Sequence, residues 1–320
     1  MLALDAIRGR YLDVRFRTRG GARARIVERP GLWMSAADQD ALIEDMRTVV
    51  RSSVTERGET LAYGVLKDRS RMDRAVLTII YRKDSDQPVA FNALHILDCE
   101  LRGRHEEVVH LGLTMIDPAY RQRGLAAALY GTTCFLLCAR QQMRPLWISN
   151  VTQVPSVFGL VGAHFGDVYP SVRVGARRPF SHLQLARQVA SRYRDVYGAG
   201  PEAEFDEERF VLSNAYAEGS KALKKRFEEA PMYRDEAVNA YCRDHLDYER
   251  GDDFVQIGRF TAGIARKYFT RSVPLISPVF LLTQAAMLIV ESLYGPVMQW
   301  LTPERPMGPL RPAEEPGITP

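Results

Sequence analysis

The sequence predicts an α/β fold, with a mixed central sheet over residues 31–170 and a large α-helical C-terminal extension. Three observations carry this. Residues 74–116 hold three β-branched, apolar runs separated by turn signals. Residues 108–142 read in order as a strand, an Asp117-Pro118 turn, a short polar loop and a long apolar helix. Beyond residue 171 the apolar residues recur mostly at helical spacing.

Composition narrows the class. At 320 residues, with 46% hydrophobic and 26% charged residues, the chain can bury one large core or two smaller ones. A net charge of +4 is too mild to argue for nucleic acid. Cys134 and Cys138 stand four apart rather than in a C-x-x-C pair, so buried free thiols are expected of these and of Cys99 and Cys242. No secretory signal is recognised at the N-terminus, which predicts a cytoplasmic protein.

The elements follow in order. Residues 1–30 form a basic N-terminal arm in which Arg15 and Arg17 alternate with apolar residues, predicting an edge strand with one charged face. That face is either solvated or turned to an acidic partner such as an acyl carrier protein, anionic lipid or RNA, and its aromatic interleaving is too thin for nucleic acid. Ser35-Ala-Ala-Asp38 opens a helix to Arg51 with a capping-box-like start. Strands are expected over 74–82, 89–97 and 107–116, the first two as a hairpin across Asp84–Pro88. A helix from Leu125 to Gln142 follows, then a strand at 145–152, a short helix at 155–164 and a strand at 165–169.

Between the 107–116 strand and its helix lies Arg121-Gln122-Arg123-Gly124-Leu125-Ala126. A glycine-containing loop at a helix start exposes backbone N–H groups at the positive end of the helix, which favours phosphate. Arg121 and Arg123 add charge there. With the lead-in Ile116-Asp117-Pro118, the segment Arg121-x-x-Gly124-x-Ala126 resembles motif A of the GCN5-related N-acetyltransferases, and the likeness covers roughly 31–170. The resemblance implies a sheet whose two central strands splay apart. It implies acetyl-CoA or another acyl-CoA as co-substrate, with its pyrophosphate on Arg121, Gln122, Arg123, Gly124, Leu125 and Ala126. Backbone N–H groups at Thr114, Met115 and Ile116 would hold the pantetheine arm and polarise the thioester carbonyl.

Under that resemblance His110 stands where histone-type members carry their glutamate base, and an imidazole suits the task, expected to titrate near 6 to 7. His95, on the neighbouring predicted strand, could replace it or pair with it, and Asn150 could hold an amide or a water. The family's frequent tyrosine acid is missing, since the matching residues are Phe158, Gly162 and Ala163. No histidine–cysteine spacing matches a zinc site, so no metal is expected, and no nucleophile elbow, P-loop or dinucleotide fingerprint occurs.

From Arg173 the likeness ends. Residues 171–272 are read as a helical insertion or, as easily, a separate helical domain, with helices at 181–197 (capped by Ser181), 205–230 and 232–250 and a last strand near 253–260. Residues 273–302 form an apolar helix too interrupted to span a bilayer, suited to a buried or homo-oligomer contact, a membrane-surface anchor or an acyl-pocket wall. The tail at 303–320 is Pro-rich and has little to bury. The functional expectation is transfer of an acyl group from acyl-CoA to a small-molecule amine or amino-acid-like acceptor by direct attack. The alternatives are a carrier-protein-dependent, long-chain transferase and a non-catalytic acyl-CoA sensor or scaffold.

Overall fold

The computed structural model describes residues 10–18, 21–53, 61, 64–121, 123–173, 177–216, 218–266, 294 and 297. The most apolar strands lie in the middle of one sheet. β3 (Ala75–Tyr81) and β4 (Pro88–Leu101) pair antiparallel and are buried over most of their length, so both their faces are covered. Outward on one side come β2 (Arg23–Glu28) and then β1 (Asp13–Arg17), the edge strand expected for the basic arm, with exposed residues alternating along it. On the other side β5 (Arg104–His110) pairs with β4, and β7 (Leu146–Thr152) lies parallel to β5. β11 (Asp253–Phe260) closes on β7, followed by β10 (Val211–Ser213) and β9 (Glu204–Asp206). Two short strands lie off this path, β6 (Thr114–Ile116) on β4 and β8 (Gly166–Tyr169) on β11. The fold is thus mixed α/β, an eleven-stranded mixed sheet covered on both faces.

α1 (Ala36–Ser53) starts where the sequence places it: the Asp38 N–H donates to Ser35 Oγ at 3.2 Å, and Ser35 Oγ donates to Asp38 at 2.6 Å. It packs its buried Leu42, Met46 and Val49 against Leu77, Ile79 and Phe91. α4 (Phe180–Arg192) covers the same sheet face further along, over Leu97, Val108, Trp147 and Ile257. The opposite face carries α2 (Thr133–Arg140) and α3 (Pro155–His164), which bury Cys134, Leu137 and Val161 against Ile96, Val109 and Ile148. α5 (Glu236–His245) packs on α3 through Phe158, Val238 and Cys242. All four cysteines are free and buried.

Several expectations are corrected. The single strand expected over 107–116 is broken by Leu111-Gly112-Leu113 into β5 and β6, which pair with β4 in different places. The helix expected from Leu125 runs as a π-helix over Ala127–Thr132 before α2 begins. Among its described residues the extension is not mainly helical: 205–230 holds β9, β10 and short 3₁₀ turns. There Phe205, Phe210 and Leu212 bury against the α4 side of the sheet, and Asp206 Oδ1 accepts from the N–H groups of Glu208 and Arg209, which favours a turn over a helix. The 232–250 helix shrinks to α5, started by Asp235, whose side chain accepts from the Ala237 N–H at 3.1 Å. Ser181 does not cap α4; Pro179 stands at that position, and Ser181 is buried beside His182. The last strand at 253–260 is present as β11. No helix among the described residues is long and apolar enough to cross a membrane. The apolar helix at 273–302 and the tail at 303–320 lie outside the described residues, save Tyr294 and Val297.

Candidate active site in the split between two strands

The parallel pairing of β5 and β7 runs from Val108 to His110 and ends with the Leu111 N–H donating to the Ser149 carbonyl at 2.7 Å. At Gly112 the chain turns tightly, its N–H donating to the His110 carbonyl at 2.9 Å. An added Cβ there would lie 2.1 Å from the Ala93 carbonyl oxygen, so only glycine fits this approach. The chain then leaves β7 and rejoins β4 as β6, while β7 continues on β11 alone through Asn150, Val151 and Thr152. A gap opens between β6 and the end of β7.

Hydrogen-bond alternation says which groups face it. The Ala93 N–H donates to the Leu113 carbonyl, and the Asp117 N–H donates to the Val89 carbonyl, both at 2.9 Å. In an antiparallel ladder every second residue points to the same neighbour, so Met115 also faces β4. The N–H groups of Thr114 and Ile116 therefore point away from β4, into the gap. Of the three backbone groups expected to meet a thioester arm, Met115 is corrected to a ladder residue; its side chain packs on the α1 side.

The loop beyond is built by local turn chemistry. Asp117 Oδ1 accepts from the Ala119 N–H at 2.9 Å and starts the Pro118–Tyr120 turn. Arg121 is exposed, with Nε 3.4 Å from the Ile116 carbonyl, and the Arg123 guanidinium lies 4.8 Å from the centre of the Tyr120 ring. Gly124 has φ +73°, the left-handed region that favours glycine, and open space where a Cβ would stand. Leu125 and Leu129 anchor the helix start against Ile80, Val89 and Ala90. The loop thus carries two guanidiniums and an unobstructed backbone beside a helix start. Gln122 lies outside the described residues.

Under this helix start is a polar chain that sequence reading missed. Thr114 Oγ1 donates to the Tyr130 hydroxyl at 2.6 Å and accepts from Asn92 Nδ2 at 3.1 Å. Asn92 Oδ1 is buried with no hydrogen-bond partner among the described residues. Burial pushes the Tyr130 phenol up to about 12. Helical spacing makes Tyr130 look like one more core residue; only the π-turn geometry and the strand break bring it to Thr114.

His95 and His110 are directly opposed across β4 and β5, in one row with Ser149 and on the α1 and α4 face. His110 Nδ1 is 3.1 Å from Ser149 Oγ, and the Tyr197 ring centre lies 5.5 Å from its own. His95 has neither ring nitrogen hydrogen-bonded among the described residues. The turn at Gly64 and the Arg194–Val196 turn lie over it, and an Arg71–Asp195 ion pair ties the latter to the neighbouring Arg69–Arg74 turn. Burial pushes His95 down to about 4 and, with its neighbour, His110 down to about 3. The expected ionisation near 6 to 7 is therefore corrected: both imidazoles are neutral well below that range. Asn150 does not join them. It faces the opposite side of β7, where its Nδ2 donates to Gln256 Oε1 at 2.9 Å, and Gln256 in turn donates to the Pro170 and Phe158 carbonyls. Phe158, where a tyrosine was sought, packs between Tyr241 and Phe254 at 5.6 and 4.6 Å. No group of three or more metal-binding side chains occurs among the described residues.

No family model matches this chain, and no curated protein matches it either. Among solved structures it overlaps a point variant of the BH1408 protein of Bacillus halodurans at 13% identity and a TM-score of 0.24, covering 35% of this chain and 71% of that one. A tetramutant of the same protein overlaps at 12% identity and a TM-score of 0.21, covering 37% and 76%. TM-scores this low do not define a shared fold.

Proposed function

We propose that the chain transfers an acyl group from acyl-CoA to an amine. The observation that carries this reading is one continuous surface: the Thr114 and Ile116 N–H groups in the strand gap lead directly into the Gly124 loop and its helix start. On this reading the loop holds the pyrophosphate and the gap holds the thioester arm. One of the two N–H groups stabilises the oxyanion that forms as the amine nitrogen attacks the thioester carbon, and the other, about 7 Å along the strand, holds the pantetheine arm. The tetrahedral intermediate collapses with formation of the amide C–N bond and cleavage of the C–S bond. The nitrogen loses one proton to a base, and the thiolate gains one.

His110 is the base in this proposal, acting through Nε2. If its Nδ1–H donates to Ser149 Oγ, the Nε2 lone pair is free. A histidine pushed down to about 3 is a weak acceptor, so it serves at the moment of attack, when the amine nitrogen has become acidic, rather than by deprotonating a free ammonium ion. The acceptor must arrive already neutral. Tyr130, with its phenol raised to about 12, keeps its proton and contributes a hydrogen bond; the thiolate takes its proton from water.

Gly124→Glu tests the reading, since it adds bulk and negative charge where phosphate would sit. Calorimetry with CoA should show binding by the native chain and none by the variant, with the variant's far-UV spectrum unchanged. Equal CoA affinity in the two proteins removes the assignment.

A further inference from the structure

The outer hairpin carries positive charge that the other described residues do not neutralise. Register places Arg15 opposite Arg25 and Arg17 opposite Arg23, so four guanidiniums rise from one face of β1 and β2. Like charges directly opposed across a ladder repel one another. The inner pair is offset: Arg25 makes a two-pronged contact with Asp13, both arms at 2.8 Å, and Arg23 donates to Asp86 Oδ1 and the Ser85 carbonyl at 2.6 Å each. Arg15 and Arg17 are exposed and have no ion pair or hydrogen bond among the described residues.

All four line an open groove of about 440 Å³, whose other walls include Tyr81 and Asp45. That volume suits a small ligand. The carboxylates on its wall are already engaged, Asp86 by Arg23 and Asp45 by the Tyr81 hydroxyl at 2.6 Å. Arg15 and Arg17 stand two residues apart on a strand, about 7 Å, which lets each meet a separate anionic group. A guanidinium matches phosphate oxygens with paired N–H donors.

We propose that this groove binds a ligand carrying two or more phosphate groups, through Arg15 and Arg17 with support from Arg23 and Arg25. The site lies on the α1 face at the β1 edge, apart from the strand gap, and does not depend on the acyl-transfer reading.

Calorimetry of the full chain with tripolyphosphate tests it, alongside co-sedimentation with phosphatidylcholine vesicles with and without phosphatidylglycerol. Tripolyphosphate should bind the native chain, more weakly as salt rises. The affinity is compared in the Gly124→Glu chain, so that the helix-start loop does not take up the probe, and there the Arg15→Gln/Arg17→Gln double variant should lose at least tenfold. Arg15→Lys/Arg17→Lys should recover part of the loss, which separates charge from damage to the fold. Binding only to phosphatidylglycerol vesicles, lost in the double variant, supports the same phosphate chemistry and names a lipid headgroup as its source. Equal affinity with and without the arginine changes, or no binding of either probe by the Gly124→Glu chain, overturns the proposal.

Discussion

Gly112→Ala is the sharpest probe of the strand break. The new Cβ would lie 2.1 Å from the Ala93 oxygen and 3.3 Å from its carbon, so β4 and the turn must separate by about 1 Å or more to reach ordinary contact. Overpacking of this kind costs about 1–3 kcal/mol. The same movement strains the Ala93–Leu113 hydrogen bond, 2.9 Å long, and leaving its buried groups unpaired adds about 1–3 kcal/mol. A loss of about 2–6 kcal/mol is expected. Gly124→Ala is the control, because there the backbone is left-handed at φ +73° but a Cβ meets open space, so only about 1–2 kcal/mol of conformational strain applies. Urea unfolding of both variants gives the comparison. Calorimetry with CoA adds the functional half: displacing β6 should weaken CoA binding in Gly112→Ala. If Gly112→Ala unfolds no more easily than Gly124→Ala, the tight turn does not set the gap and the argument from Gly112 fails.

Stability should also depend on pH. His95 and His110, held down to about 4 and 3 in the folded chain against about 6.5 unfolded, contribute stability that is complete above 6.5 and is lost as pH falls toward those values, by up to about 1.4 kcal/mol per pH unit for each group. Asp253 acts in the opposite sense: burial pushes its carboxyl up to about 7, so its contribution is complete below about 4 and is lost as pH rises toward 7. Urea midpoints from pH 4 to 7 should therefore rise with pH, and rise more steeply in Asp253→Asn; a flat or falling native profile contradicts the histidine assignment. His110→Ala should lower kcat by about 10²-fold with CoA affinity nearly unchanged, and the pH limb of kcat/KM should follow the acceptor's amine in both proteins; preserved turnover puts the base elsewhere. Tyr130→Phe removes the acceptor of the Thr114 hydroxyl and should cost about 1–3 kcal/mol in chemical unfolding. A neutral result there would mean that Thr114 finds another partner.

Much of the element order is visible in the residues themselves, because it rests on local chemistry. Ser35 and Asp38 announce α1, the β-branched runs announce β3 and β4, and Asp117-Pro118 marks the end of β6. Where local signals compete with long-range burial they mislead. Residues 205–230 have helical spacing, yet Phe205, Phe210 and Leu212 gain more by burying against the α4 side of the sheet.

The candidate site divides the same way. Sequence alone pointed to the Arg121–Ala126 loop, since two arginines followed by a glycine at a helix start are written in consecutive residues. It also put His110 on a strand, although that strand, β5, ends there and the loop is fed by the separate β6. Only the tertiary structure decided which backbone groups face the gap, because that depends on the register of β6 against β4. It alone decided that Asn150 turns to the other face, that Tyr130 meets Thr114, and that the two histidines are neutral. Each is a matter of register or desolvation, and both arise from residues far apart in the chain.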